Sequence, residues 1–519
     1  MAVQKQKNLP LILLILDGWG ITKANRGNAV TLAKTPVLDS IYKKFSNTKL
    51  RAHGKYVGLP NNQDGNSEAG HINIGAGRVV EQDSVYIDKC INDGTFFKNS
   101  VFKQAIDHIK KNGAKLHLMG MLSNGESAHS NHDHLIALLT LMRLKGVKVN
   151  LHLFTDGRDS HQYESLRLLK KLKFFLKNKE EISTVMGRFY AMDRRKKWER
   201  TKSAYELLTE GKGLSFANAK ETILAGYNRG ETDEFIKPSV VNKGKIKLKS
   251  IIDNNDSIIF FNLRSDRARQ LTKAFVQQKF TGFKRNKILK NICFVTMTDF
   301  GPDLYGVTTA YQSRDLKGTL PIALKKYRQL YITESEKYSH ITYFLNGGYA
   351  DPISGEDRIC VESPDVKHYD KIPQMRTEEI GKKIISFLNN DKYDIIVANF
   401  ANSDMVGHTG NLQAGIKAVE FIDKTVGQIL KAILKLNGSM MITADHGNIE
   451  EMIDLETGEI DTAHSKNLVP FILVGKNFTK IKLIKSGGSL CNIAPTILDV
   501  LGIKKPTEMT AKSLIKIKN

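Results

Sequence analysis

The 519-residue sequence predicts an α/β protein with mainly parallel sheets, in which one domain is inserted into another. Three observations carry that prediction. Short apolar runs recur, each closing on a polar turn, and helical patterns with apolar residues at i, i+3 and i+4 lie between them. Acid and histidine motifs occupy the first 80 or so residues and the stretch after about 330, whereas arginine motifs occupy the middle. At about 100–200 residues per domain, the length also favours at least two domains.

Taken in order, PLILLIL closes on DGWG, AKLHLMGML on SNGE, KVNLHLF on TDGRD and SIIFFNL on RSDR. Later, DIIVANF closes on ANSD, SMMIT on ADHGN and PFILV on GK. Residues 133–146 and 418–435 carry the clearest helical patterns between strands. In parallel sheets the chemistry lies beyond the carboxyl ends of the strands, where these turns are expected. The first run, from Leu9, contains Pro10 and ends at Asp17, short of the roughly 20 apolar residues of a membrane span. It leads into DGWG and not into a small-residue cleavage site, so it reads as a buried strand in a cytoplasmic protein with no membrane partner. The motif distribution places residues 1–80 and 311–519 in one discontinuous domain and 81–310 in the insertion.

Hydrophobic residues at 41% and charged residues at 25% exclude wholesale disorder and low-complexity architectures. The net charge of +24 raises the question of a polyanionic partner. Of the 78 basic residues, 19 are arginine and 59 lysine. The lysine runs KKLKFFLKNK (170–179) and KGKIKLK (243–249) lack the aromatic interleaving or recognition helix of a nucleic-acid reader, and are expected to be solvated surface. Twelve of the 19 arginines fall between residues 81 and 305. Arginine grips carboxylate and phosphate bidentately, so this region is the candidate holder of a small anion. Cys90, Cys293, Cys360 and Cys491 show no C-x-x-C pair or metal-ligand spacing, and are expected to be buried apolar fillers.

In ANSDMVGHTGN, Asp404 and His408 are spaced i, i+4 after a strand, which on one helical turn directs both side chains to one ion. In TADHGNIEE, the vicinal pair Asp445 and His446 ends a strand and can serve two neighbouring metals, or one metal and a supporting partner. His464 precedes PFILV, and Asp17 ends the first strand. Aspartate and histidine without thiolate suit Mn²⁺, Mg²⁺ or Zn²⁺, and two such ions about 4 Å apart form a phosphoryl-transfer apparatus. The candidate nucleophile is Ser67 in QDGNSEAGHINIGAGRV. Its position before a helical pattern is that of an N-cap, where a hydroxyl sits in positive potential beside backbone amides. Gly65 and Gly70 permit close approach of a substrate to the backbone.

Together with GRFYAMDRRKKWER, FFNLRSDRARQ and ESEKYSHITYFLNGG, these motifs run colinearly over essentially the whole chain. In that order they resemble the 2,3-bisphosphoglycerate-independent phosphoglycerate mutases of the alkaline phosphatase-like superfamily. The resemblance implies an alkaline phosphatase-like metal domain with an inserted α/β substrate-binding domain. It implies two Mn²⁺, or alternatively Mg²⁺, one held by Asp17, Ser67, Asp445 and His446, the other by Asp404, His408 and His464. Ser67 matches the serine that is phosphorylated, and Lys337 a lysine at the same centre. Arg158, Asp159, Arg188, Arg194, Arg264 and Arg267 match substrate positions. His129 matches a further one, in a loop one residue longer than the family pattern and without its second glycine.

The implied reaction interconverts 3- and 2-phosphoglycerate through phospho-Ser67, in a monomer whose only partner is that small molecule. The arginines hold the glycerate, and Asp159, beside Arg158, moves protons at its hydroxyls. Two half-sites on two domains are expected to close for reaction, and histidine ligation is expected to weaken at low pH. The nearest alternatives are a phosphatase, phosphodiesterase or phosphopentomutase of the same superfamily, which share the metal centre without the arginine set. The +24 charge alone suggests a nucleic-acid-binding protein, but does not explain the spacing of Asp, His and Ser.

Overall fold

The computed structural model describes residues 9–124, 127, 129–177, 180–241, 250–301, 303–312, 316–366, 368–479 and 481–516. It divides into two compact units, Met1–Gln82 with Arg314–Asn519, and Asp83–Ser313. The lysine run at 243–249 lies outside the described residues, as do residues 178 and 179 at the end of the other run. That second run lies mostly on the helix Ser165–Phe175, which buries Leu168, Leu169 and Leu172 and exposes Lys170, Lys171 and Lys173. It is a solvated face over an apolar stripe.

Among the described residues, the first unit holds a seven-stranded sheet. Its order is Asp357–Val361, Gln329–Glu334, Ile395–Phe400, Leu11–Leu16, Ser439–Thr443, Val469–Val474 and Ser46–Leu50. The first five strands are parallel, and the last two join antiparallel. Leu11–Leu16 is the centre, pairing Leu14 with Ala398 on one side and Ile442 on the other. All six of its residues are buried, so it reads as a continuous apolar run, as a strand covered on both faces must. The helix Leu412–Lys435 buries Ala418, Val419, Ile422, Val426, Ile429 and Ile433, the periodicity of one helix face.

One strand departs from expectation. Val469–Val474 was expected to close on GK at the same edge as the other strands. It runs antiparallel to Ser439–Thr443, with Phe471 opposite Thr443 and Val474 opposite Met440. Its trailing turn therefore lies at the opposite end of the sheet, and the segment before it, which carries His464, reaches the edge where the parallel strands finish.

The second unit holds an eight-stranded sheet among the described residues. The order is Val307–Tyr311, Cys293–Thr298, Ser257–Phe260, Leu116–Met121, Val149–Thr155, Glu180–Gly187, Ser239–Val241 and Leu214–Phe216. All its pairings are parallel except that between Glu180–Gly187 and Ser239–Val241. Cys90, Cys293 and Cys491 are buried, but Cys360 is exposed. Cys360 lies on the edge strand Asp357–Val361, most of which is not covered.

Buried polar groups cross the second sheet. Asp256 lies 3.0 Å from His117 Nε2, His117 Nδ1 lies 2.9 Å from His152 Nε2, and His152 Nδ1 lies 2.9 Å from Thr184 Oγ1. Burial pushes the pKa of His117 down, against the pull of Asp256, and burial together with His117 pushes His152 well down. A histidine depressed in the folded state stabilises the fold fully above its unfolded value of about 6.5, and that stability is lost as pH falls below it. Each ring kept neutral contributes a slope of about 1.4 kcal/mol per pH unit below that value. Of the chain's two tryptophans, Trp198 lies in this unit and Trp19 in the other. In a Trp19→Phe background, the urea midpoint followed by Trp198 fluorescence is expected to fall between pH 7.5 and 5.5, with a shallower slope in His152→Leu. Equal slopes in the two proteins would contradict this account.

Candidate active site

Four neighbouring strands of the first unit, Gln329–Glu334, Ile395–Phe400, Leu11–Leu16 and Ser439–Thr443, run parallel. The residues that follow them therefore emerge along one edge: Lys337, then Asp404 and His408, then Asp17, then Asp445 and His446. Gly18, at φ +73°, turns the chain away from the central strand. A Cβ there would meet the backbone of Asp404 at 2.8 Å, so only glycine admits the Asp404 turn this close.

Ser67 begins the helix Ser67–Ala76. It is not the N-cap: Asn66 is, its side chain accepting from Ala69 N at 2.8 Å. The Ser67 hydroxyl is thereby released from capping and turned to the strand edge. Gly70 on the same helix lies against the loop of Asp445, where a Cβ would come 2.6 Å from Asp445 O, and a Cβ on Gly65 would come 2.3 Å from Ala52 O. These two glycines admit protein backbone, where the sequence suggested room for substrate.

Ser67 Oγ lies 2.9 Å from His446 Nε2 and 3.2 Å from Asp17 Oδ1, and accepts from Lys337 Nζ at 2.9 Å. Lys337 Nζ also contacts Asp17 Oδ1 at 2.7 Å and Asp404 Oδ2 at 2.6 Å. His408 Nε2 and His464 Nε2 each lie 3.2 Å from Asp404 Oδ1 and 3.1 Å from one another. His446 Nε2 stands between these groups, 3.5 Å from Asp445, 3.6 Å from Asp17 and 3.9 Å from Asp404.

Burial and the neighbouring Asp445 carboxylate push the Asp17 carboxyl up. Burial also opposes ionisation of Asp404, but Lys337 and His408 outweigh it and hold that carboxyl well below the usual range. Burial works against the Lys337 ammonium, and Asp17 and Asp404 more than restore it. His464 is lowered to about 4 by burial and by His446, so its ring is neutral and can ligate.

The residues fit a pair of divalent cations. The ligand atoms of Asp404, His446 and His464 lie within 4.8 Å of one another, as do those of Asp17, His71 and Asp445. The Lys337 ammonium already bridges two of the carboxylates as a cation does. Oxygen and imidazole donors without thiolate are the ligands of Mn²⁺, Mg²⁺ and Zn²⁺. This grouping divides Asp445 from His446, where the resemblance puts both on one ion.

His71, absent from the sequence-based set, lies four residues after Ser67 on its helix. Its Nδ1 is 2.8 Å from Ser67 O and 3.3 Å from Asp445 Oδ2. Asn399 Nδ2 donates to Asp17 Oδ2 at 2.7 Å and lies 3.1 Å from His71 Nε2. His71 thus supports Asp445 directly, and Asp17 through Asn399. The i, i+4 spacing from Ser67 was the one available signal for it. Asn399, inside an apolar strand, offered none.

In the second unit, four neighbouring parallel strands play the equivalent part. The ends of Ser257–Phe260, Leu116–Met121, Val149–Thr155 and Glu180–Gly187 deliver Arg264 and Arg267, His129, Arg158 and Asp159, and Arg188 and Arg194. Asp159 does not pair with Arg158. It lies 2.8 Å from Arg188 Nη1 and accepts from Ser127 Oγ at 2.7 Å, whereas Arg158 faces Glu234 at 3.7 Å. Burial resists ionisation of Asp159, but the Arg188 guanidinium prevails and holds it at about 2. It is therefore a proton acceptor at neutral pH, not a donor. His129 is lowered to about 3 by burial, and its Nδ1 is 4.0 Å from Asp266. Part of its longer loop, residues 125, 126 and 128, lies outside the described residues.

Asp156, 2.5 Å from Arg188, and Asp266, 2.8 Å from Arg194 and 3.3 Å from Arg264, are further members. Both sit inside motifs already singled out for their arginines. Arg267 is lowered to about 10 by burial and by Arg194, Arg188 and Arg158. Guanidinium groups crowded to that degree are complementary to an anion.

Asp and His side chains gathered at adjacent carboxyl ends of a parallel sheet, beside a serine at a helix start, offer the donor set of a metalloenzyme. The family model described as the Metalloenzyme superfamily matches residues 9–505. The 2,3-bisphosphoglycerate-independent phosphoglycerate mutase of Clostridium kluyveri is 47% identical over 512 residues, covering 98% of this chain and 99% of the relative. One from Methanosarcina acetivorans, numbered 1 there, is 48% identical over 516 residues at the same coverage. A crystal structure of Leishmania mexicana phosphoglycerate mutase at low cobalt concentration superposes with a TM-score of 0.84 at 28% identity, covering 99% of each chain. The chain belongs to the 2,3-bisphosphoglycerate-independent phosphoglycerate mutase family and binds divalent metal, and its strand-edge cluster of Asp and His is the candidate site for that metal.

Proposed function

We propose that the protein isomerises 3-phosphoglycerate and 2-phosphoglycerate through a phosphoserine at Ser67, with Mn²⁺ as the preferred ion. The observation that carries this reading is the convergence on Ser67 Oγ of His446, Lys337 and Asp17, all within 3.2 Å, at the positive end of a helix. Two bound divalent cations supply neutralisation of the phosphoryl oxygens and acidify the serine hydroxyl. Asp17, Ser67 and Asp445 would hold one ion and Asp404, His408 and His464 the other, with His446 available to either set.

Lys337 places a permanent positive charge where the transferring group gains negative charge. Ser67 Oγ forms its bond to phosphorus as the bond to the glycerate 3-oxygen breaks, and the proton given up by the serine hydroxyl passes to that oxygen. In the return step the 2-hydroxyl gives up its proton to Asp159 and attacks phosphorus as the bond to Ser67 Oγ breaks, and the proton passes on through water to the departing Ser67 oxygen. Arg188, Arg194, Arg264, Arg267 and Arg158 grip the carboxylate and phosphate of the glycerate, and neutral His129 donates or accepts a hydrogen bond. Holding glycerate between the two displacements separates a mutase from a phosphatase.

The test is conversion of 3- to 2-phosphoglycerate by purified protein without 2,3-bisphosphoglycerate, after chelation and again after Mn²⁺ is restored. Interconversion is expected only with metal. Release of glycerate and free phosphate would mean hydrolysis, and no product with metal restored would remove the assignment.

A further inference from the structure

Glu450 follows His446 by four residues, has no part in the chemistry proposed above, and is completely buried. Its Oε2 accepts from Gly20 N at 2.9 Å and from Asn448 N at 2.9 Å. Its Oε1 accepts from Asn467 Nδ2 at 3.0 Å and from the Ser465 hydroxyl. All four partners are donors, and an ionised carboxylate is the side chain that offers only acceptors.

The donors come from three separate segments, each carrying a metal-site residue. Gly20 lies three residues beyond Asp17, Asn448 two beyond His446, and Ser465 next to His464. Ser465 N also donates to Gly447 O at 2.9 Å, so the second and third segments meet backbone to backbone at the same point. The packing leaves no slack. A Cβ on Gly20 would fall 2.2 Å from the Glu450 carboxyl carbon, and one on Gly447 would fall 2.4 Å from Oε1.

We propose that Glu450 is a positioning residue of the metal centre: its carboxylate ties together the loops of Asp17, His446 and His464, and so sets the affinity for divalent cation. The proposal rests on the two-metal reading above. Partners that orient metal ligands from behind typically change affinity by about 10- to 100-fold when removed.

The experiment is a Mn²⁺ titration of metal-stripped protein, following free Mn²⁺ by electron paramagnetic resonance, with the melting temperature of the metal-free protein measured in parallel. In Glu450→Gln an amide nitrogen must face at least one donor, and affinity is expected to fall about 10- to 100-fold. Ser465→Ala removes a single donor and is expected to lower affinity several-fold without lowering the metal-free melting temperature; it carries the test should Glu450→Gln not fold. Unchanged Mn²⁺ affinity in both variants, even with a lowered melting temperature, overturns the proposal and leaves Glu450 a structural residue. A wild-type protein that binds no Mn²⁺ overturns the two-metal reading, and this proposal with it.

Discussion

Ser67→Ala is expected to eliminate interconversion of the phosphoglycerates while leaving the fold and the metal centre in place. The hydroxyl is the atom on which His446, Lys337 and Asp17 converge, and no other hydroxyl in the described site takes those contacts. Loss of a nucleophile in covalent catalysis costs roughly 10⁴-fold or more in kcat. The helix does not depend on this serine for its cap, since Asn66 supplies it. The melting temperature should therefore stay near wild type, and the variant should take up no label from ³²P-labelled phosphoglycerate. A Ser67→Ala protein that is still labelled, or retains more than a few per cent of activity, would move the nucleophile elsewhere.

Lys337→Met is expected to have the next largest effect, on two measurements. The ammonium is buried between Asp17 and Asp404, 2.7 and 2.6 Å from their carboxylates. Removing one partner of a buried ion pair typically costs about 3–5 kcal/mol, so the metal-free variant should melt well below wild type. Added Mn²⁺ compensates the same carboxylates and should restore much of that loss. Catalysis should not recover with it: losing one preorganised charge at a developing anion costs roughly 10²–10³-fold in kcat. Full activity in the metal-loaded variant would show that Lys337 serves only to balance charge in the metal-free protein.

Much of both sites was legible because their residues follow strands. An apolar run ending in a polar turn marks the carboxyl edge of a parallel sheet, and Asp17, Asp404, Asp445 and Arg158 all lie just past such runs. The i, i+4 spacing of Asp404 and His408 likewise foretold a shared direction, and the two side chains meet at 3.2 Å. Where reading failed, it failed on pairings over long sequence separations. Asp159 was set beside its neighbour Arg158, yet its partner is Arg188, 2.8 Å away and delivered by the next strand. His464 could be noticed as an imidazole, but its approach to Asp404 required the antiparallel direction of Val469–Val474.

The sequence by itself determined the fold class, the strands whose ends bear the site, and the residue types available at those ends. Burial periodicity and turn chemistry are local properties of a chain, and they are written in consecutive residues. Only the tertiary structure decided which of those residues meet: the strand order that places Asp17 between Asp404 and Asp445, the support of Asp17 and Asp445 by Asn399 and His71, and the joining of three loops on Glu450. Strand order and partner choice follow from how whole faces pack and how each buried polar group finds an acceptor or donor, and no single segment carries that information.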